Sequence, residues 1–152
     1  MCTSFMGELM TATHNFGVAP IRASTTVDTF KAALYLTSAT INAATTAYTV
    51  TGEVSGTNYV AGGVTVTTAT PPTATNSSAT AGVAFFTPSA SITYTTVTLS
   101  TAFDTVLLYN STQSDKAVSV HTFGSQTITA GTFTLTMPTN NTSTALLRLA
   151  TT

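Results

Sequence analysis

Charged residues are scarce in this chain. Four Lys and Arg residues and five Asp and Glu residues make up 6% of the sequence and leave a net charge of -1 at pH 7, whereas about 25% of a typical soluble domain is charged. The basic residues Arg22, Lys31, Lys116 and Arg148 are scattered along the chain. Nucleic-acid binding depends on several such residues on one surface. The sequence therefore predicts no nucleic-acid partner.

Disulfides and membrane segments are not expected either. Cys2 is the single cysteine, which excludes a disulfide within the chain. No run of about 18 apolar residues is present, so we predict no membrane-spanning helix. The first residues, MCTSFMGELM, carry no basic group before an apolar run, so we expect no Sec-dependent export.

The residue types that carry most catalysis and metal binding are also few. The two histidines are His14 and His121. A nucleophilic triad would have to combine His121 with Asp104 or Asp115 and a serine, and no G-x-S-x-G motif supports it. The spacings typical of metal sites, such as H-x-x-x-H and C-x-x-C, do not occur. We therefore predict no enzymatic activity, no cofactor and no metal site.

An internal isopeptide bond is a covalent alternative for a Thr-rich β-domain. Lys31 would supply the amine, Asn110 the amide, and Glu53 or Asp104 the catalytic carboxyl group. No spacing in the sequence places three such groups together, so we do not predict this bond.

Threonine dominates what is present, with 39 positions. It is β-branched and suits a pleated surface. Residues 28–37 and 132–137 alternate apolar with polar side chains, which is typical of half-buried strands. The candidate strands lie at 28–37, 46–51, 57–68, 91–100, 103–110, 116–123, 132–137 and 144–150. Short strands at this spacing predict an all-β fold, a single β-sandwich of Greek-key or jelly-roll type.

The alternation also predicts a core and a bend. The predicted core residues are Phe30, Leu34, Leu107, Val118, Val120, Phe133, Leu135 and Met137. Ile92 and Tyr94 share one phase of the alternation, whereas Val97 and Leu99 share the other. Such a slip requires a bulge or a bend at residues 95–96.

Two segments fall outside the strand pattern. Residues 70–82 contain two prolines and no periodicity, which predicts a long loop. At the N-terminus, four apolar residues are spaced as on one face of a two-turn helix, which Ser4 could cap; they are Phe5, Met6, Leu9 and Met10. We therefore divide the chain into an N-terminal helical segment or arm, 1–17, and a β-sandwich, 18–152.

Five blocks of the sequence resemble one known family. They are THNFG (13–17), TFKAALY (29–35), TAYTVTGEVSGTNYVAGG (46–63), LLYNSTQSDKAVSV (107–120) and FGSQTITAGTFTLTMP (123–138). In order and spacing over most of the chain they are similar to small virion structural proteins of tailed bacteriophages. The chain departs from that family just before the FG pair, where His121 and Thr122 replace an apolar residue and an acid.

The resemblance implies a β-sandwich on the phage particle, as a capsid cement or decoration protein that binds the major capsid protein. It implies synthesis in the host cytoplasm and a final location on the capsid surface, and it brings no catalytic residues. Capsid lattices offer three-fold positions, so we expect a homotrimer. The candidate contact residues are Phe5, Met6, Leu9, Met10, Pro71 and Pro72.

Three alternatives remain open from the sequence. The N-terminal segment could cap its own sandwich instead of reaching a partner. The protein could belong to the tail or neck of the virion. It could also be a carbohydrate-binding module whose tyrosines stack on sugar rings; the candidates are Tyr35, Tyr48, Tyr59, Tyr94 and Tyr109.

Overall fold

The computed structural model describes residues 1–10, 13, 14, 16, 27–68, 72–74 and 82–150. Within these ranges the elements are α1 (Thr3–Met10), β1 (Phe30–Leu36), β2 (Val64–Val66), β3 (Thr73–Ala74), β4 (Val83–Phe86), β5 (Ile92–Asn110), β6 (Lys116–Leu135) and β7 (Leu147–Ala150). One sheet has the strand order β2-β1-β5-β6, and the other has the order β3-β4-β7. All pairs are antiparallel. The predicted all-β sandwich with a short N-terminal helix is confirmed.

Several strand boundaries differ from the prediction. β5 and β6 are 19 and 20 residues long, and each joins two segments that were predicted as separate strands. Conversely, the predicted strand 57–68 is a strand only at Val64–Val66. Gly62 and Gly63 have φ of 88° and 71°. These values turn the chain, so the strand begins only after them, at Val64.

The Pro-rich segment also contains a strand that the sequence did not predict. Thr73 and Ala74 pair with Phe85 and Ala84 of β4. Both side chains of this short strand are exposed, so no alternation of apolar residues marks it in the sequence. Positions 70, 71 and 75–81 lie outside the described residues.

The long β5–β6 hairpin bends back on itself near its middle. The ring centroids of Phe123 and Phe133, both on β6, lie 5.3 Å apart, although about ten residues of straight strand would separate them by about 33 Å. At the bend the register of the two strands shifts between Tyr94 and Val97. The bulge predicted at residues 95–96 is therefore confirmed.

Thr96 occupies a strained position in this bulge. Its φ is 51°, a left-handed conformation that a β-branched residue rarely adopts, whereas Asn tolerates it. We expect Thr96→Asn to raise the free energy of unfolding by about 0.5–1 kcal/mol. Urea unfolding measures this, with Thr95→Asn as the control, because exposed Thr95 is not among the residues with positive φ. Equal effects of the two substitutions would contradict the assignment of strain to Thr96.

The core lies on both faces of the β1–β5 pair. Phe30, Leu34, Leu107 and Val118 are buried as predicted. The other four predicted core residues are only partly buried; they are Val120, Phe133, Leu135 and Met137. The alternation identifies the apolar side of β6 correctly, but β6 is an edge strand. Within the described residues, one flank of Val120, Phe133 and Leu135 therefore has no neighbouring strand, and Met137 lies beyond the end of β6.

Helix α1 is packed against its own domain. It begins at Thr3, so Ser4 lies in its first turn and is not the cap that the sequence predicted. The main-chain N–H of Cys2 donates to the carbonyl oxygen of Val118 at 2.9 Å, and that of Thr3 donates to Ala43 at 3.0 Å. Phe5 is buried in the core. Among the described residues, no helix has the length and hydropathy for a membrane crossing.

Candidate functional site

An apolar groove lies between α1 and the β3-β4-β7 sheet. Its volume is about 80 Å³. The lining residues are Met1, Phe5, Leu9, Phe16, Pro72, Ala84, Phe85, Phe86, Leu147, Arg148 and Leu149. The groove brings Phe5 and Leu9 of the predicted contact set together with Pro72, which is remote from them in the sequence. The side chains of Met6 and Met10, and all of Pro71, lie outside the described residues.

The groove has a buried floor and an exposed rim. Phe5 is 2% exposed, and its ring meets that of Phe16 edge-on at 6.0 Å. Phe5 is therefore a core residue that forms part of the floor of the groove. Leu149 on β7 is 41% exposed, and Arg148 beside it is the one charged side chain among the lining residues. This rim is the solvent-exposed part of the groove.

A hydrogen-bond network lies beside the groove and ties α1 to the sheets. Lys116 Nζ on β6 donates to Glu8 Oε1 on α1 at 2.8 Å. The other oxygen, Glu8 Oε2, lies 2.7 Å from His14 Nε2. On the opposite side of the ring, His14 Nδ1 lies 3.1 Å from Asn110 Nδ2, and the same amide nitrogen donates to Asp28 Oδ2 at 2.8 Å.

The orientation of Asn110 defines the protonation state of His14. Asn110 Oδ1 accepts the main-chain N–H groups of Thr112 and Gln113, at 3.1 and 3.2 Å, so the amide NH₂ must face His14 and Asp28. Because that NH₂ donates to Nδ1, the ring carries its proton on Nε2 and donates it to Glu8. Burial lowers the pKa of His14 below its usual value despite the nearby carboxylates, in agreement with a neutral ring.

A second polar cluster covers the part of β1 that extends beyond its pairing with β2. Glu53 Oε2 accepts the hydroxyl of Tyr48 at 2.7 Å. Glu53 Oε1 accepts the hydroxyl of Tyr59 at 2.7 Å and the main-chain N–H of Gly62 at 2.8 Å. The carboxylate thus holds together the loop that runs from residue 48 to residue 62.

Two tyrosines form hydrogen bonds with the main chain of β1. β2 pairs with β1 only as far as Ala32. Beyond this point the hydroxyl of Tyr94 donates to the carbonyl oxygen of Ala32 at 2.7 Å, and the hydroxyl of Tyr59 accepts the N–H of Leu34 at 3.0 Å. Burial raises the pKa of Tyr94 and of Tyr59, so both hydroxyls remain neutral.

Three of the five tyrosines are buried, and the other two, Tyr48 and Tyr59, are partly buried. Tyr35, Tyr94 and Tyr109 are buried, and burial raises the pKa of Tyr35 and Tyr109 to about 12. Tyr48 stacks on Tyr109 at 4.8 Å, and Tyr59 stacks on Tyr94 at 5.9 Å. Stacking of a sugar requires an exposed ring face, and one face of Tyr48 and one face of Tyr59 are covered by these contacts.

The catalytic alternatives considered from the sequence are not assembled. His121 Nε2 lies 2.9 Å from the hydroxyl of Ser119, but Ser119 is completely buried, and Asp104 accepts a hydrogen bond from Thr105 instead. His121 is partly buried, and burial lowers its pKa. Within the described ranges no group of three or more His, Cys, Asp or Glu residues could hold a metal ion.

The proposed isopeptide partners lie on opposite faces of the sheet. Lys31 pairs with Tyr109 and Phe30 pairs with Asn110, and neighbouring residues of a strand point to opposite faces. The Asn110 side chain accordingly contacts His14, whereas Lys31 Nζ lies close to Gly62, 3.6 Å from where a Cβ atom would be. These side chains cannot form the bond.

Sequence reasoning missed both polar networks. His14 and Glu53 were recognised as isolated groups, and their partners come from other elements of the fold. The EVSG-x-x-Y-x-AGG motif contains a usable signal, because a carboxylate, a tyrosine and a glycine pair within 11 residues suggest a loop closed by hydrogen bonds. Comparison with protein-family models, with curated proteins and with solved structures gives no match for this chain.

Proposed function

We propose that this protein is a non-enzymatic structural subunit of a phage virion, a capsid cement or decoration protein that docks on the major capsid protein through the apolar groove. The observation that carries the proposal is the convergence of α1 and the Pro-rich segment on one groove, through Leu9 and Pro72. A groove of this kind gains about 25 cal/mol for each Å² of apolar surface that a partner covers. The exposed rim at Leu149 is where such a partner makes contact.

The edge of the four-stranded sheet supports the proposal that the protein is a subunit of an assembly. β6 forms that edge, and residues 119–135 contain no Lys, Arg, Asp, Glu or Pro, the residue types that usually protect an edge strand. Phe123, Phe133 and Leu135 on this strand are only partly buried. A neighbouring subunit would cover them and add hydrogen bonds along the edge.

Binding to capsids built from the major capsid protein alone tests the proposal. We expect saturable binding with hundreds of copies per particle and little dependence on salt, because so few charges are available. Leu149→Glu should weaken binding at least about tenfold, since it places an unpaired carboxylate in an apolar contact. Val60→Glu is the matched control, because Val60 is 72% exposed and does not line the groove.

Each alternative has its own outcome in this experiment. Binding of about a dozen copies or fewer, at one vertex, would assign the protein to the tail or neck. Equal weakening by Leu149→Glu and Val60→Glu would remove the groove from the proposal. No binding to capsids, together with saturable glycan binding that a Tyr48→Ala substitution abolishes, would place the protein among carbohydrate-binding modules.

A further inference from the structure

His14 is held in a site that admits only the neutral ring. Its Nε2–H group donates to Glu8 of α1, and its Nδ1 accepts from Asn110 at the end of β5. We propose that His14 is a proton-sensitive latch: protonation of its Nδ1 releases α1 and His14 from the sandwich while the sheets remain folded. The inference goes beyond the proposed function and does not depend on it.

Asn110 cannot adapt to a protonated ring. An imidazolium would present Nδ1–H to the amide NH₂, so that two donors would face each other 3.1 Å apart. Rotation of the amide by half a turn would bring Oδ1 to the ring, but it would also turn NH₂ toward the N–H groups of Thr112 and Gln113, which now donate to Oδ1. Either arrangement leaves buried donors without acceptors, which is costly.

The charged groups around the ring act in opposing directions. Glu8 from α1 and Asp28, which precedes β1, favour the protonated ring, whereas Lys116 from β6 opposes it. Burial among aromatic rings opposes it as well, since the centroid of Phe5 lies 4.8 Å from that of His14. The opposing effects prevail, and the pKa of His14 in the docked state is below its usual value. Release restores ordinary solvation.

The second histidine provides a comparison. His121 is also partly buried, but its partner is the hydroxyl of Ser119. A hydroxyl can rotate and accept a hydrogen bond from a protonated ring, whereas the Asn110 amide cannot. The latch therefore depends on the partner of His14 and not on burial alone.

The pH range of the release follows from linkage. The docked pKa of His14 is lowered from an ordinary value of 6.5, so the released state binds the proton more tightly. Docking is therefore complete above about pH 6.5 and weakens as the pH falls, by up to about tenfold per pH unit. The pKa of Glu8 is also lowered, from 4.5: burial raises it, but the hydrogen bonds from Lys116 and His14 prevail. Measurements between about pH 5 and 7.5 consequently exclude the titration of Glu8. The pKa of His121 is also lowered by burial from 6.5, so His121 titrates in the same range and needs its own control.

Cys2 reports directly on the docking of α1. It is the single cysteine, it is 0% exposed, and it immediately precedes the helix. The probe is 4,4′-dipyridyl disulfide, which labels thiols at acidic pH, and the rate for the denatured chain at each pH corrects for thiol reactivity. We expect the corrected labelling rate of the wild type to rise as the pH falls from about 7 to 5. Amide exchange at Ala33 and Leu107, which pair between β1 and β5, monitors global unfolding.

Two substitutions make the test specific. His14→Gln keeps a neutral acceptor for Asn110 and a donor for Glu8, so its labelling rate should not vary with pH in this range. His121→Gln should keep the wild-type dependence. The proposal is overturned if His14→Gln follows the wild type, if the wild-type rate is constant, or if Ala33 and Leu107 lose protection together with Cys2. If His14→Gln does not fold, the wild-type protein supplies the test. The pH midpoint of the His14 ring titration, measured by NMR, must then equal the pH midpoint of the Cys2 labelling curve, and a difference between them overturns the proposal.

Discussion

Gly63→Ala is expected to prevent the chain from folding. Gly63 has a φ of 71°, and a Cβ atom at this position would overlap the carbonyl oxygen of Ala32 and lie 2.8 Å from the Cα of Ala33. Both atoms belong to the backbone of β1, which is held between β2 and β5 and cannot move aside without breaking sheet pairing. The left-handed conformation adds about 1–2 kcal/mol for any residue with a Cβ. We expect a loss of at least about 4–5 kcal/mol, close to the whole stability of a domain at the lower end of the usual range of about 5–15 kcal/mol.

Gly124→Ala is the control for this substitution. Gly124 lies on β6, its φ is not positive, and a Cβ atom there would meet nothing within 4 Å. Its free energy of unfolding should stay within about 0.5 kcal/mol of the wild type. Urea unfolding and soluble yield measure both variants. If Gly63→Ala unfolds at nearly the same urea concentration as Gly124→Ala, the loop 53–63 does not approach β1 as the structure shows.

The sequence predicted those features that depend on residues close together in the chain. The alternation in FKAALYL reports which side chains of β1 point to each face, and the phase slip at residues 95–96 reports the bulge. Both follow from the period of two along a strand. The turn at Gly62 and Gly63 also has a local origin, because their left-handed backbone favours glycine.

Features that depend on strand order could not be predicted in this way. Leu135 and Leu107 occupy equivalent positions in alternating strands, but Leu107 lies on the central strand β5 and is fully buried, whereas Leu135 lies on the edge strand β6 and is partly exposed. The pattern identifies the apolar face and gives no information about what covers it. The cost of Leu135→Ala should therefore fall below the range of about 2–5 kcal/mol typical of a fully buried leucine.

The groove and the polar networks depend on contacts between distant segments even more strongly than the burial of single strands does. Phe5 and Pro72 line one groove, and Asn110 joins Asp28 to His14. No local pattern records which residues meet across a sandwich. Sequence reasoning identified α1 and the Pro-rich segment as the unusual parts of the chain, and the fold is needed to show that they share a surface.

Glu53→Ala is the second substitution with a large expected effect. The carboxylate accepts three hydrogen bonds, from the hydroxyls of Tyr48 and Tyr59 and from the N–H of Gly62. Hydrogen bonds to a charged group contribute about 1.5–3 kcal/mol each, and a buried donor that loses its acceptor costs a similar amount. Because these losses share one site and partly relax together, we expect a total loss of about 3–5 kcal/mol.

Glu53→Gln separates the hydrogen bonds from the charge. The remaining carbonyl oxygen can still accept from Tyr59 and Gly62, while the hydroxyl of Tyr48 can rotate to accept from the new NH₂ group. The loss should therefore be about 1–2 kcal/mol, clearly smaller than for Glu53→Ala. Alkaline titration adds an independent measurement, because burial and then the hydrogen bond to Glu53 raise the pKa of Tyr48, and either substitution should lower it. Equal unfolding free energies for the two variants, with no change in tyrosine titration, would show that Glu53 does not hold the loop on β1.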